Sequence, residues 1–113
     1  MKPRDALFLG HIIAAAQDIQ AFTVEGRDAF FADRKTQSAV IRQLEIIGEA
    51  VKNLSPELTS AEPAVPWRQI AGARDRLIHA YFRVDIDAVW VMVENDLPAL
   101  RAHVQQLLDA RPA

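Results

Sequence analysis

Val40-Ile41-Arg42-Gln43-Leu44-Glu45-Ile46-Ile47-Gly48-Glu49-Ala50-Val51-Lys52-Asn53-Leu54 carries an apolar seam at Val40, Leu44, Ile47, Val51 and Leu54. The steps alternate four and three, which aligns these residues along one side of an α-helix and matches no strand face. The spacing predicts a helix from about Lys35 to Leu54, ended by Ser55-Pro56 because a proline ring disfavours helical geometry in the residue before it. Gly48, inside the seam, is expected to let another helix cross closely. Upstream, Pro3 suits a first helical turn, and Leu7, Ile12 or Ile13, Ala16, Ile19 and Phe22 follow at helical spacing. Gly26 is a plausible stop, and a short aromatic piece, Asp28 to Phe31, leads into the central helix. Downstream, Ser55 to Pro66 holds three prolines and reads as a connection with one turn of helix. A third helix is expected from Trp67 to about Arg83, with Gly72 as its weak point. Val84-Asp85 reads as a break, with Asp85 as the N-cap of a last helix from Ile86 to about Leu108. Val89, Met92 or Val93, Leu97, Leu100, Val104 and Leu107 form that helix's buried stripe, and Pro98 should kink it without ending it. The expectation is an all-α, antiparallel bundle of four to five helices.

The bulk numbers suit that architecture. With 113 residues the chain is long enough for one domain with a core of its own, and the whole of 1–113 is taken as a single helical domain. Half of the residues are apolar and a quarter charged, which argues against disorder. A net charge of -2 supplies no global basic field, so any nucleic-acid role needs a local patch. There is no cysteine, which excludes disulfides, thiolate nucleophiles and cysteine-type zinc sites. His11, His79 and His103 show no HExxH spacing, and no metal or other cofactor is expected. The N-terminus does not read as a secretory signal, and no apolar run approaches the ~20 residues that span a bilayer. The expected setting is the cytoplasm, away from membranes.

The candidate chemistry is concentrated in Arg74-Asp75-Arg76-Leu77-Ile78-His79-Ala80-Tyr81. It combines a permanently charged guanidinium suited to phosphate, an imidazole that exchanges protons near neutral pH, and a phenol open to modification. On one ideal helix, with Arg74 at zero, Tyr81 falls near about 340° and His79 near about 140°. Arg74 and Tyr81 then share a face, while Arg74 and His79 do not meet tip to tip. The pair would have to straddle a bound group, use a distorted turn near Gly72, or pool side chains across a symmetric dimer. The dimer fits best, because a lone pair on a convex helix makes a poor pocket. Metal-free RNA cleavage asks for a base at the 2′-hydroxyl, an acid for the leaving oxygen and cations for the charge on phosphorus. Two His79 copies would supply base and acid, and Arg68, Arg74, Arg76 and Arg83 concentrate positive charge in this segment against Asp75 alone.

Around this motif the residues resemble a known family. Pro66-Trp67 precedes the Arg-x4-His-x-Tyr pattern, and Val84-Asp85 and Val89-Trp90 follow it. Together with Ile46-Ile47-Gly48-Glu49-Ala50 and Ser55-Pro56-Glu57, this order resembles the HepT family of HEPN-domain proteins over nearly the whole chain. The resemblance implies a HEPN-like helical homodimer that acts as a ribonuclease toxin and pairs with a minimal nucleotidyltransferase antitoxin. It implies Arg74 and His79 as catalytic residues and Tyr81 as the site where the antitoxin attaches AMP. Arg76 and Arg83 are assigned to RNA phosphate. Asp75 departs from the family pattern, which often has Asn after the Arg. It keeps a polar acceptor that can orient His79, but places negative charge beside a phosphate site.

Plainer readings apply to other residues. His11 and His103 read as incidental surface or interface residues, and Trp67 and Trp90 as core or interface anchors, not base-stacking platforms. Glu45 and Glu49 share a helical face, but no Glu-x-x-His accompanies them. The alternative for the motif is a non-catalytic HEPN module that presents Arg74, Arg76 and Tyr81 to a nucleotide or to a nucleotidyltransferase partner.

Overall fold

The computed structural model describes residues 1–73, 78–79 and 83–110, with residues 78–79 and 83–84 described by their backbone alone. Helix α1, Pro3–Phe22, has its proline in the first turn. A turn with Gly26 at φ 94° leads into the short α2, Arg27–Ala32. Only glycine takes that backbone conformation without strain. Asp33 starts α3, Arg34–Lys52, by accepting the Lys35 N–H. The Thr36 hydroxyl bonds the same carboxylate and, with the Lys35 N–H, holds Asp33 below the ordinary aspartate pKa. A lowered pKa means this cap contributes above the unfolded value and is lost as pH falls through the folded one.

The seam of α3 is buried as expected: Val40 is fully enclosed, and Leu44, Ile47, Val51 and Leu54 are nearly so. It packs along α1, whose inward residues are Leu9, Ile12, Ile13, Ala16 and Ile19. Leu7 and Phe22 do not belong to that stripe, being 56% and 42% exposed. The inward face of α1 is set by Asp5, Leu9, Ile12, Ala16 and Ile19, a different register from one begun at Leu7.

Ser55 caps α4, Pro56–Ala61, by accepting the Leu58 N–H. Ser55 is itself held by Asp5, which is 2% exposed and accepts both the Ser55 N–H at 2.8 Å and the Ser55 hydroxyl at 2.6 Å. One buried carboxylate thus ties the start of α1 to the start of α4. Asp5→Ala removes the acceptor from two donors and is expected to cost about 2 kcal/mol. Thermal unfolding followed by circular dichroism checks this, and an unchanged melting temperature would count against it.

The expected long helix from Trp67 to Arg83 is not what the described residues show. Helix α5 covers Trp67–Ala71, with Gly72 as its C-cap. Ile78–His79 (β1) and Arg83–Val84 (β2) then pair as short antiparallel strands, with Ile78 opposite Val84 and His79 opposite Arg83. Glycine weakens a helix, while the β-branched Ile78 and Val84 favour extended backbone. Helical angles from Arg74 onward therefore do not carry through to Arg83.

Asp85 caps α6, Ile86–Val91, through the Ala88 N–H as expected. A π-turn at Met92–Asp96 follows, and α7 runs Leu97–Asp109 with Pro98 in its first turn. The Leu97 N–H reaches the Met92 carbonyl, a wide turn just ahead of a residue that lacks an N–H. The proline distorts this helix without ending it. Val89, Val93, Leu97, Leu100 and Val104 are buried along the same side, and α7 packs on α1. The architecture is an all-α, HEPN-like bundle to which the β1–β2 pair is a small addition. Among the described residues no helix is long and apolar enough to cross a membrane.

Candidate functional site

Helix α5 delivers the chain into the Arg-x4-His segment, and its position is set where it meets α3. A Cβ on Gly48 would stand 3.3 Å from the Ala71 carbonyl oxygen and 3.4 Å from that of Ile70. Gly48 thus lets the backbone of α5 lie against α3, the close crossing expected from sequence. Trp67 begins α5, is 8% exposed, and donates its indole N–H to the Glu62 carbonyl at 3.1 Å. The start of α5 is anchored in the core and its end is pressed onto α3.

Arg74, Asp75, Arg76 and Tyr81 lie outside the described residues. His79 and Arg83 are described by backbone, as register partners across β1 and β2. That pairing joins a proposed proton-transfer residue to a proposed phosphate-binding residue without relying on helical spacing. Trp90 sits against Phe30, with ring centroids 5.1 Å apart, and bonds Glu94 through its indole N–H. This fits the packing role expected of it. His103 is partly buried and its Nε2 lies 3.1 Å from Glu62, so it links α7 to the end of α4 inside the fold.

Beside the α3–α5 crossing lies a cleft of about 400 Å³ between α1 and α3. Its floor is low because Gly48, Ala50 and Ala71 fill little space there. Phe8 and His11 of α1 form one wall, their rings in an edge-to-face contact with centroids 5.4 Å apart. The Arg4 guanidinium lies 5.6 Å from the Phe8 ring centre and bonds Asn53 at 3.0 Å, which steadies that ring. Arg42, Glu45, Glu49 and Lys52 form the α3 rim. The shared helical face of Glu45 and Glu49 was expected from their spacing, and Arg42 and Lys52 extend it by steps of three on either side. Among the described residues no group of three His, Asp or Glu side chains is placed to hold a metal ion.

Residues 12–107 match the HepT-like family, described as ribonuclease HepT-like. The chain belongs to this ribonuclease family. The match includes α3, the α3–α5 crossing and the whole Arg74–Tyr81 segment. The chain is 44% identical over 108 residues to a protein of Thermococcus cleftensis named "Probable ribonuclease HepT", covering 95% of this chain and 98% of the relative. A protein of Methanocaldococcus jannaschii named "Putative RNase" is 42% identical over 102 residues, covering 89% of this chain and 84% of the relative. No solved structure matches. In this HepT-like chain, the Trp67 anchor and the crossing at Gly48 together fix α5, the helix that precedes the motif.

Proposed function

We propose that this HepT-like chain is a metal-independent endoribonuclease that works as a symmetric dimer. The observation that carries this reading is the family match over residues 12–107, which spans the Arg-x4-His-x-Tyr motif. Arg74 holds the scissile phosphate with its planar fork of donors. One His79 takes the proton from the 2′-hydroxyl, and that oxygen attacks phosphorus. The bond from phosphorus to the 5′-oxygen breaks, and the His79 of the second protomer protonates the departing oxygen. The products are a 2′,3′-cyclic phosphate and a 5′-hydroxyl. The guanidinium of Arg74 stabilises the charge that gathers on the phosphoryl oxygens in the transition state. Asp75 orients His79, and Arg76 and Arg83 hold neighbouring phosphates. The register of His79 with Arg83 supports a phosphate contact close to the proton-transfer residue.

The enzyme acts in the cytoplasm as the toxin of a pair whose antitoxin is a minimal nucleotidyltransferase. Attachment of AMP to Tyr81 switches it off, because the group adds bulk and negative charge where RNA phosphate must sit. Cleavage of a defined RNA by the purified chain, with end-group analysis of the fragments, tests the reaction. Fragments ending in 2′,3′-cyclic phosphate and 5′-hydroxyl are expected. Intact RNA in the presence of a stable dimer would favour a non-catalytic binding module instead.

A further inference from the structure

We infer that the cleft between α1 and α3 binds one guanine nucleotide of an RNA strand, next to the Arg-x4-His segment. The inference rests on the ribonuclease reading for the source of the strand and on the cleft itself for its ligand. About 400 Å³ falls within the range of small-molecule pockets, and Ala71, which lines it, is three residues before Arg74 in sequence. The two walls carry complementary chemistry. Phe8 and His11 provide flat rings, the usual platform for an unstacked base of single-stranded RNA. Arg42 and Lys52 stand at opposite ends of the α3 rim, about 15 Å apart along the helix, where a strand crossing the cleft would pass its phosphates. Between them lie Glu45, partly buried, and Glu49, an exposed carboxylate at the edge of the same space.

Two carboxylates between the two cations of the rim disfavour phosphate at its middle, so their place there asks for a donor-bearing ligand. Guanine is the base that presents two adjacent donors on its Watson–Crick edge, N1–H and the N2 amino group. A carboxylate accepts both at once. Adenine and cytosine each offer one donor beside a ring acceptor, and uracil offers one N–H between two carbonyls. With Glu49 as the acceptor, the cleft therefore favours guanine and leaves the phosphates to Arg42 and Lys52.

The test is NMR titration of the full-length chain with each of the four nucleoside 5′-monophosphates. It is repeated with 2′-O-methyl tetranucleotides that carry a single guanine and cannot be cleaved. Guanosine monophosphate is expected to shift the amides of Phe8, His11, Glu49 and Lys52 ahead of the other three. Glu49→Gln is expected to weaken that binding by about tenfold, the scale of a lost bidentate base contact. The tetranucleotide is expected to bind more tightly than the mononucleotide, to lose affinity as salt rises, and to lose that advantage in Lys52→Ala. Shifts confined elsewhere, equal response to the four nucleotides, or equal affinity in wild type and Glu49→Gln would overturn the base assignment. A mononucleotide that binds as well as the strand would overturn the RNA source and leave a free-nucleotide site. Because binding is read without cleavage, a chain that binds guanine here yet cuts no RNA contradicts only the catalytic reading. A chain that cuts RNA but leaves this cleft undisturbed contradicts only this inference.

Discussion

His79→Ala is expected to slow RNA cleavage by about 10²- to 10⁴-fold, the usual contribution of a positioned proton-transfer group. In a symmetric dimer the substitution removes both imidazoles, and with them base and acid together, so the upper part of that range applies. The loss should appear in kcat, because His79 acts on protons that move only in the transition state. Strand affinity should change little, since Arg74, Arg76, Arg83 and the cations of the α3 rim remain. Single-turnover cleavage and binding of a 2′-O-methyl RNA separate the two quantities. A fall in affinity with no fall in the cleavage rate of bound RNA would place His79 among the binding residues instead.

Gly48→Val is expected to reduce cleavage by about 10²-fold, the cost of misplacing a catalytic group by roughly 1 Å. Even the Cβ of an alanine would press to 3.3 Å and 3.4 Å on the carbonyl oxygens of Ala71 and Ile70. Those are backbone atoms, so they cannot rotate aside as a flexible side chain does. The two further methyl groups of valine must push α5 away from α3, at an overpacking cost of about 1–3 kcal/mol. Because α5 leads into Arg74 within three residues of Ala71, the displacement is passed to the motif. Activity should therefore fall in molecules that are still folded. Circular dichroism at the assay temperature, alongside the cleavage rate, checks this. Full activity in a folded Gly48→Val protein would show that the crossing does not position the site.

The bundle was legible in the sequence wherever burial is governed by helical period alone. The α3 seam from Val40 to Leu54 and the stripe from Val89 to Val104 are buried as their spacing implies. The cap at Asp85 was equally plain, because it is a short polar acceptor just before a helix, whereas Ser55 read only as the end of the helix before it and proves also to cap the next. The register of α1 was less so: nearly every residue from Leu7 to Ala16 is apolar or small, so periodicity offers several faces and tertiary packing chooses one. The break after Ala71 depends on Gly72 and on the strand preference of Ile78 and Val84, local signals that a run of helix-favouring neighbours masks. Asp5 escaped notice because its partner, Ser55, is 50 residues away in sequence. The charged face of α3 was visible as a pattern, yet only the folded arrangement sets it opposite Phe8 and His11.

The central claim is that Arg74 and His79 cleave RNA without a metal ion. It is tested most directly by incubating a defined RNA in EDTA with wild-type protein, Arg74→Ala and His79→Ala. Wild type is expected to cleave at the same rate with and without the chelator, while both variants, folded and dimeric, cleave far more slowly. Cleavage that needs added metal, or that proceeds equally in the variants, would contradict it.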